Sequence, residues 1–436
     1  MNIFEDILFV SISFIISLAV GCIPLLKSRK IDIVNPNFLV FVILFFSLSL
    51  KSLYIVVNYD IYTDNFATDY KASMFYGLLI VAIFVLGYLL GAFYFITAAP
   101  YNGQSYLFVY ANKRKLNFSI VFFLITIVYF IGVYGYFSVN EFSIYDFFSK
   151  KFIAEEGKSR LSDPSYLFYR LMLFVKYLFY IMLFWFININ HRSNKGLTFI
   201  MIVFFTLSSI VPLYFGNRAG FVLFVVDVFL ILVVFKKISI YMYIFFGTLV
   251  FFVFLLSSFI RPGGEEMGIF DHFFLGRYLV DIQFLSVLYK YLSVTNNYYL
   301  GSSLTAWLFL ILRPFGIEWS NSFLLLGNKL SVELYDQGFN SVPPSIIGEL
   351  YLNFSYPGVF LGGIGVGALL NFTWLKFKKS SSLFFKFLFP MLIFRMSLFL
   401  FNNDLGTTAI KIATDIIFLY VLLKVVFKEK NMRIVV

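Results

Sequence analysis

The chain has 436 residues, 61% hydrophobic and only 13% charged, with a mean hydropathy of +0.88. So little polar surface excludes a soluble globular protein of this length and points to an all-α polytopic integral membrane protein. The net charge of +11 lies largely in short lysine-rich loops between apolar runs, where the positive-inside rule accounts for it without nucleic-acid binding. The runs are continuous rather than alternating with period two, which argues against an outer-membrane barrel. Cys22 is the single cysteine, so no disulfide, zinc site or thiol relay is available within one chain.

In chain order, about 11 (10–12) transmembrane helices are expected, over roughly 7–26, 37–57, 73–99, 118–137, 166–188, 197–215, 219–235, 238–259, 345–375, 383–401 and 409–427. They form one transmembrane domain over 1–436. The first is too long for a signal-peptide core and is followed by Lys27-Ser28-Arg29-Lys30, so it reads as a retained span. The split near Gly216–Gly220 turns one apolar stretch into two crossings. One set of loops carries Lys113, Arg114 and Lys115, Lys236 and Lys237, Lys376, Lys378 and Lys379, and almost no acid. The other carries Glu5 and Asp6, Asp60, Asp64 and Asp69, and then Glu141 to Asp163. The first set is therefore expected in the cytoplasm and the second outside, with the amino terminus outside and the carboxyl terminus inside.

Two outer segments are long, 138–165 and 261–344. The first is polar and mixed in charge, the composition of a lid. The second is too long for a simple connection and is expected to contain interfacial or re-entrant helices, one over 272–292 and another over 304–312.

The candidate chemistry gathers on the outer side. Arg218, Arg261, Arg277 and Arg313 fall in outer segments or at outer span ends, and Arg170 and Arg395 fall in the outer halves of spans. Guanidinium suits phosphate and pyrophosphate because its planar fork donates two hydrogen bonds at once. The alternative for each is a carboxylate partner or a lipid headgroup. Pro344-Ser345-Ile346-Ile347-Gly348-Glu349 places Glu349 one turn into a helix, where it is either a desolvated base or half of an ion pair. His272 is the one histidine expected outside and a second candidate base, although a lone histidine is more often structural than catalytic. Gly358/Gly362 and Gly363/Gly367 have the spacing of close helix packing. Asp227 lies within a span. So does Asp415, whose spacing from Lys411 suits a local ion pair. No metal-spaced cluster, phosphate-binding loop or nucleophile elbow appears, and no cofactor is expected.

The chain resembles the O-antigen polymerase (Wzy) group of oligosaccharide repeat-unit polymerases. The residues that carry the resemblance are Gly216-Asn217-Arg218-Ala219-Gly220, Leu275-Gly276-Arg277-Tyr278, Leu312-Arg313-Pro314, and above all Pro344 to Phe354 with Glu349, Tyr351 and Asn353, leading into Gly358. Order and topology agree from about Arg218 to Gly367, while the first half matches only as hydrophobic spans. The paired Arg-x10-Gly motifs of some members are absent, and eleven expected spans compare with a more usual twelve or so in the group.

The resemblance implies a metal-independent, inverting glycosyltransferase of the GT-C type. It would join oligosaccharide units carried on undecaprenyl pyrophosphate at the outer face of the bacterial inner membrane, in O-antigen or capsule synthesis. Glu349 or His272 would be the base. Arg170, Arg218, Arg261, Arg277, Arg313, Arg395, Tyr351 and Asn353 would hold pyrophosphate and glycan. Expected partners are the lipid-linked oligosaccharide, membrane lipid and a polysaccharide chain-length regulator, with no nucleic acid. The alternatives are an O-antigen ligase, which shares the long outer loop and arginines, and a lipid-linked oligosaccharide flippase or other transporter.

Overall fold

A computed structural model of the chain describes residues 3–28, 35–57, 71–97, 118–139, 168, 171–189, 195–214, 218–235, 241, 244–245, 247–248, 282–296, 298–301, 303, 330, 344–380, 382–403 and 405–426. Every extended element among these residues is helical. Six helices are long and apolar enough to cross a membrane: Phe4–Cys22, Pro36–Val57, Met74–Phe95, Phe122–Val139, Ser345–Lys379 and Phe384–Asn402. Shorter apolar helices at Val175–Ile187, Phe199–Ser209 and Gly220–Phe235 fall on three further expected spans. Helices are the form such a chain must take, because each satisfies its own backbone hydrogen bonds where no water is available.

The division of the long apolar stretch is observed, one helix ending at Tyr214 and the next beginning at Arg218. Within the segment expected over 272–292, the helix found is Ile282–Thr295. Most of the span expected at 238–259, the helix expected at 304–312, and most of segments 138–165 and 261–344 lie outside the described residues.

Three expected spans are interrupted rather than regular. The second carries a π-helical turn at Phe45–Leu50, and the last carries one at Ala413–Ile417. The third interruption corrects the span expected at 345–375. The element Ser345–Lys379 is two helices joined at Ser355, whose φ of 55° and ψ of −154° no helix accommodates. Pro357 supplies the cause, since it has no N–H and its ring crowds the carbonyl four residues earlier. The short first arm, 345–354, is buried from Ser345 through Asn353, with Phe354 exposed at its end. It folds back over the second arm. A Cβ at Gly358 would meet Phe354, and one at Gly362 would occupy the place of a Leu350 methyl.

The described contacts fall into two compact units. The first comprises Met1–Gly103, Phe270–Ser380 and Leu392–Asp415. Its centre is the pairing of Lys71–Thr97 with the second arm of Ser345–Lys379. Gly87 and Gly91 meet the carbonyls of Phe360 and Ile364, while Gly363 and Gly367 meet those of Phe84 and Tyr88. Side chains on these faces would force the backbones apart, so small residues at four-residue spacing set the approach from both sides.

One buried polar knot ties in a third helix. The Tyr88 phenol donates to Asn37 Oδ1 at 2.7 Å, and Asn37 Nδ2 donates to Asn371 Oδ1 at 2.9 Å. Ser13, Ser17, Ser49 and Ser52 make a comparable seam between the first two helices, with Oγ–Oγ distances of 3.0 and 2.8 Å.

The second unit comprises Gln104–Ile269, Ser381–Met391 and Ile416–Val436, and its core is aromatic. Phe184 stacks on Phe384 with centroids 5.3 Å apart, and Phe179, Phe205 and Phe224 pack as a trio. Asp227, fully buried, accepts a hydrogen bond from the Tyr180 phenol at 2.9 Å.

Candidate functional site

The short arm 345–354 places Glu349 and Asn353 one helical turn apart on the same face, both without solvent exposure. Two other segments come to that face. One is the chain after Ile282–Thr295, which reverses through positive φ at Asn296, Leu300 and Gly301. The other is the start of the helix Leu405–Ile412, reached by the turn after Leu383–Asn402.

The carboxylate of Glu349 is shared between them. Ser303 Oγ donates to Oε1 at 2.9 Å, and the backbone N–H of Leu405 donates to Oε2 at 2.6 Å. The second is a charge-assisted bond at a helix amino terminus, where an anion is favoured by both the free N–H groups and the helix dipole. Asn353 completes the arrangement. Its Oδ1 accepts from the N–H of Gly301 at 2.7 Å, and its Nδ2 donates to Ser303 Oγ and to the Glu349 carbonyl, each at 2.7 Å.

The arm's own end is closed by the same loop. The N–H of Tyr299 donates to the Leu352 carbonyl at 3.1 Å, satisfying one of the acceptors that the break at Ser355 orphans. Ser303, which bridges Asn353 and the enclosed carboxylate, is only half buried. A buried anion with a hydroxyl gate can hold a loop in place, and it can receive a proton through that hydroxyl.

Of the expected site residues, the structure brings Glu349, Tyr351 and Asn353 onto one buried arm. Tyr351 packs edge-on against Tyr356 at 5.3 Å. Arg395 is buried in the same unit and donates through Nη1 to Asp415 Oδ2. Asp415 therefore has an ion-pair partner other than the one its spacing from Lys411 suggests, and the Lys411 side chain is outside the described residues. Arg218 is described only as the first residue of a helix. His272, Arg170, Arg261, Arg277 and Arg313 lie outside the described residues.

Sequence reasoning missed Ser303 and the Leu405 N–H, which are 46 and 56 residues from Glu349. No spacing rule reaches that far. It also missed Gly87 and Gly91, although Gly87-Tyr88-Leu89-Leu90-Gly91 carries the same small-residue signal as the glycines they face. Comparison with protein-family models, with curated proteins and with solved structures finds no match for this chain.

Proposed function

We propose that this membrane protein polymerises oligosaccharide units carried on undecaprenyl pyrophosphate, as a glycosyltransferase that needs no metal ion. The observation that carries the reading is the Glu349–Ser303–Asn353 cluster, whose Glu349 and Asn353 lie in the stretch that carries the resemblance to the O-antigen polymerases. In the reaction, a terminal sugar hydroxyl of one unit attacks the anomeric carbon of a chain on a second carrier. A carbon–oxygen bond forms there while the bond to pyrophosphate breaks with its electron pair. The hydroxyl proton passes to Ser303 as that group's own proton moves onto Glu349. Undecaprenyl pyrophosphate leaves as an anion, and the charge that develops on it calls for guanidinium groups, the role that the resemblance gives to Arg218, Arg277 and Arg313. The lysine distribution supports an outer-face location for this chemistry.

The test is a gel of surface glycan from a strain lacking the gene, beside a complemented strain. Collapse of the ladder to a single capped repeat supports the polymerase. Long polymer left on its lipid carrier makes the protein the ligase, and an intact ladder removes both enzyme readings. In the complemented strain, Arg218→Ala, Arg277→Ala and Arg313→Ala are each expected to abolish the ladder with membrane insertion unchanged. Normal glycan length from all three removes the pyrophosphate role.

A further inference from the structure

Next to the Glu349 cluster, five tyrosines from three separate stretches of chain converge. Gly77 starts the arrangement. A Cβ there would meet the Ile282 carbonyl and the Ser286 hydroxyl, so the glycine lets Lys71–Thr97 lie directly on Ile282–Thr295. That approach stacks Tyr76 on Tyr289, with centroids 4.0 Å apart and planes within 7° of parallel. Across the break at Ser355, Tyr351 meets Tyr356 edge to face at 62°. The Tyr299 N–H bond to the Leu352 carbonyl sets Tyr298 beside the arm that carries Tyr351, and Gly348 of that arm lies against Leu285 and Leu288, next to Tyr289. The two pairs and Tyr298 are thus one cluster. Tyr76 and Tyr298 are its open members, 43% and 36% exposed.

We infer that this cluster is a saccharide-binding platform, in which the exposed Tyr76 and Tyr298 present aromatic faces to neutral sugar rings and Tyr289, Tyr351 and Tyr356 back them. A pyranose has faces of weakly positive C–H groups and a rim of hydroxyls. A tyrosine matches both, with an electron-rich apolar face and a phenol that donates and accepts at its edge. An acyl chain would use the faces and leave the phenols idle. Tyrosines that merely anchor a helix at the lipid headgroups need no parallel partner ring and are distributed around the bundle rather than gathered at one point. The loop bearing Tyr298 is held by the Tyr299–Leu352 and Gly301–Asn353 bonds, so the platform and the carboxylate cluster are positioned by the same contacts. Taking the bound saccharide to be the carrier-linked unit rests on the polymerase reading; the affinity for sugar does not.

The experiment is calorimetric titration of the detergent-purified full chain with lipid-free oligosaccharide, released by mild acid from the producing cell's own surface glycan. Binding to the wild type is expected, weakened about tenfold by Tyr76→Ala or Tyr289→Ala, the loss expected for one stacked ring. Tyr76→Phe and Tyr289→Phe keep the faces and are expected to stay within about twofold. Tyr76 is 43% exposed, and elution of its variants as a single species on gel filtration checks that they fold. No binding to the wild type, or equal binding by the alanine variants, overturns the platform whatever the glycan gel shows. Binding lost in the alanine variants, with an intact ladder in the deletion strain, sustains the platform and removes only the polymerase.

Discussion

Two of the hydrogen bonds that hold Glu349 differ in tolerance. The Leu405 N–H can only donate, whereas the Ser303 hydroxyl can donate or accept. Glu349→Gln therefore preserves the geometry, its amide oxygen facing Leu405 and its NH2 facing Ser303, and removes only the charge and the basicity. The expected outcome in reconstituted protein is native thermal stability with strongly reduced turnover and little change in substrate binding. Glu349→Ala strands both donors and is expected to cost about 2–4 kcal/mol of stability as well. Unchanged turnover in the glutamine variant would leave Glu349 as a clasp and remove it as base.

Arg395 and Asp415 call for a different pair of variants. Asp415→Ala leaves the buried Arg395 guanidinium without this carboxylate, at a cost of about 3–5 kcal/mol. The double variant Arg395→Met/Asp415→Leu removes both charges and is expected to recover most of the lost melting temperature. Recovery of stability without recovery of glycan synthesis would give Arg395 a role toward substrate beyond its pairing with Asp415.

At the scale of elements, the broken helix is the feature on which the rest depends. A regular helix through 345–379 would carry Glu349 along a straight axis, away from the loop and the turn that now share its carboxylate. The reversal at Ser355 instead lays the short arm against Gly358 and Gly362. The second arm is fixed by its glycine contact with Lys71–Thr97, and that contact is testable. Gly363→Val sets a branched side chain against the Phe84 carbonyl, and overpacking there is expected to cost about 3 kcal/mol. The readout is a lowered melting temperature of the purified protein. Gly365→Ala, which meets nothing within 4 Å, is the control and is expected to be neutral or slightly stabilising.

At the scale of the molecule, the orientation drawn from the loops is open to direct measurement. In a Cys22→Ser background, single cysteines at Asp64 and Glu156 are expected to react with a membrane-impermeant maleimide in intact cells. Cysteines at Arg114 and Lys237 are expected to react only after permeabilisation. The reverse pattern would put the Glu349 cluster on the cytoplasmic side and end the case for an outer-face polymerase.

Most of the helical framework was legible in the sequence, because the signal for a span is local. About twenty apolar residues suffice to write one, and the bilayer imposes the length. The start of the Glu349 arm was legible for the same kind of reason, since Pro343-Pro344-Ser345 punctuates the chain within a few residues. Pro357 marked a place where a helix would be disturbed, but hydropathy carried the expected span straight across it. Whether a proline kinks a helix or ends it depends on what receives the freed carbonyls, and here Tyr299 does so from 53 residues away. The same holds for the site. By itself the sequence determined a helical membrane protein, the candidate carboxylate and the small-residue faces, all set by composition and short-range spacing. Only the tertiary structure decided that Ser303, Asn353 and the Leu405 N–H share that carboxylate, that Arg395 pairs with Asp415, and that five tyrosines meet. Those are contacts between distant segments, and their geometry exists only once the helices have packed.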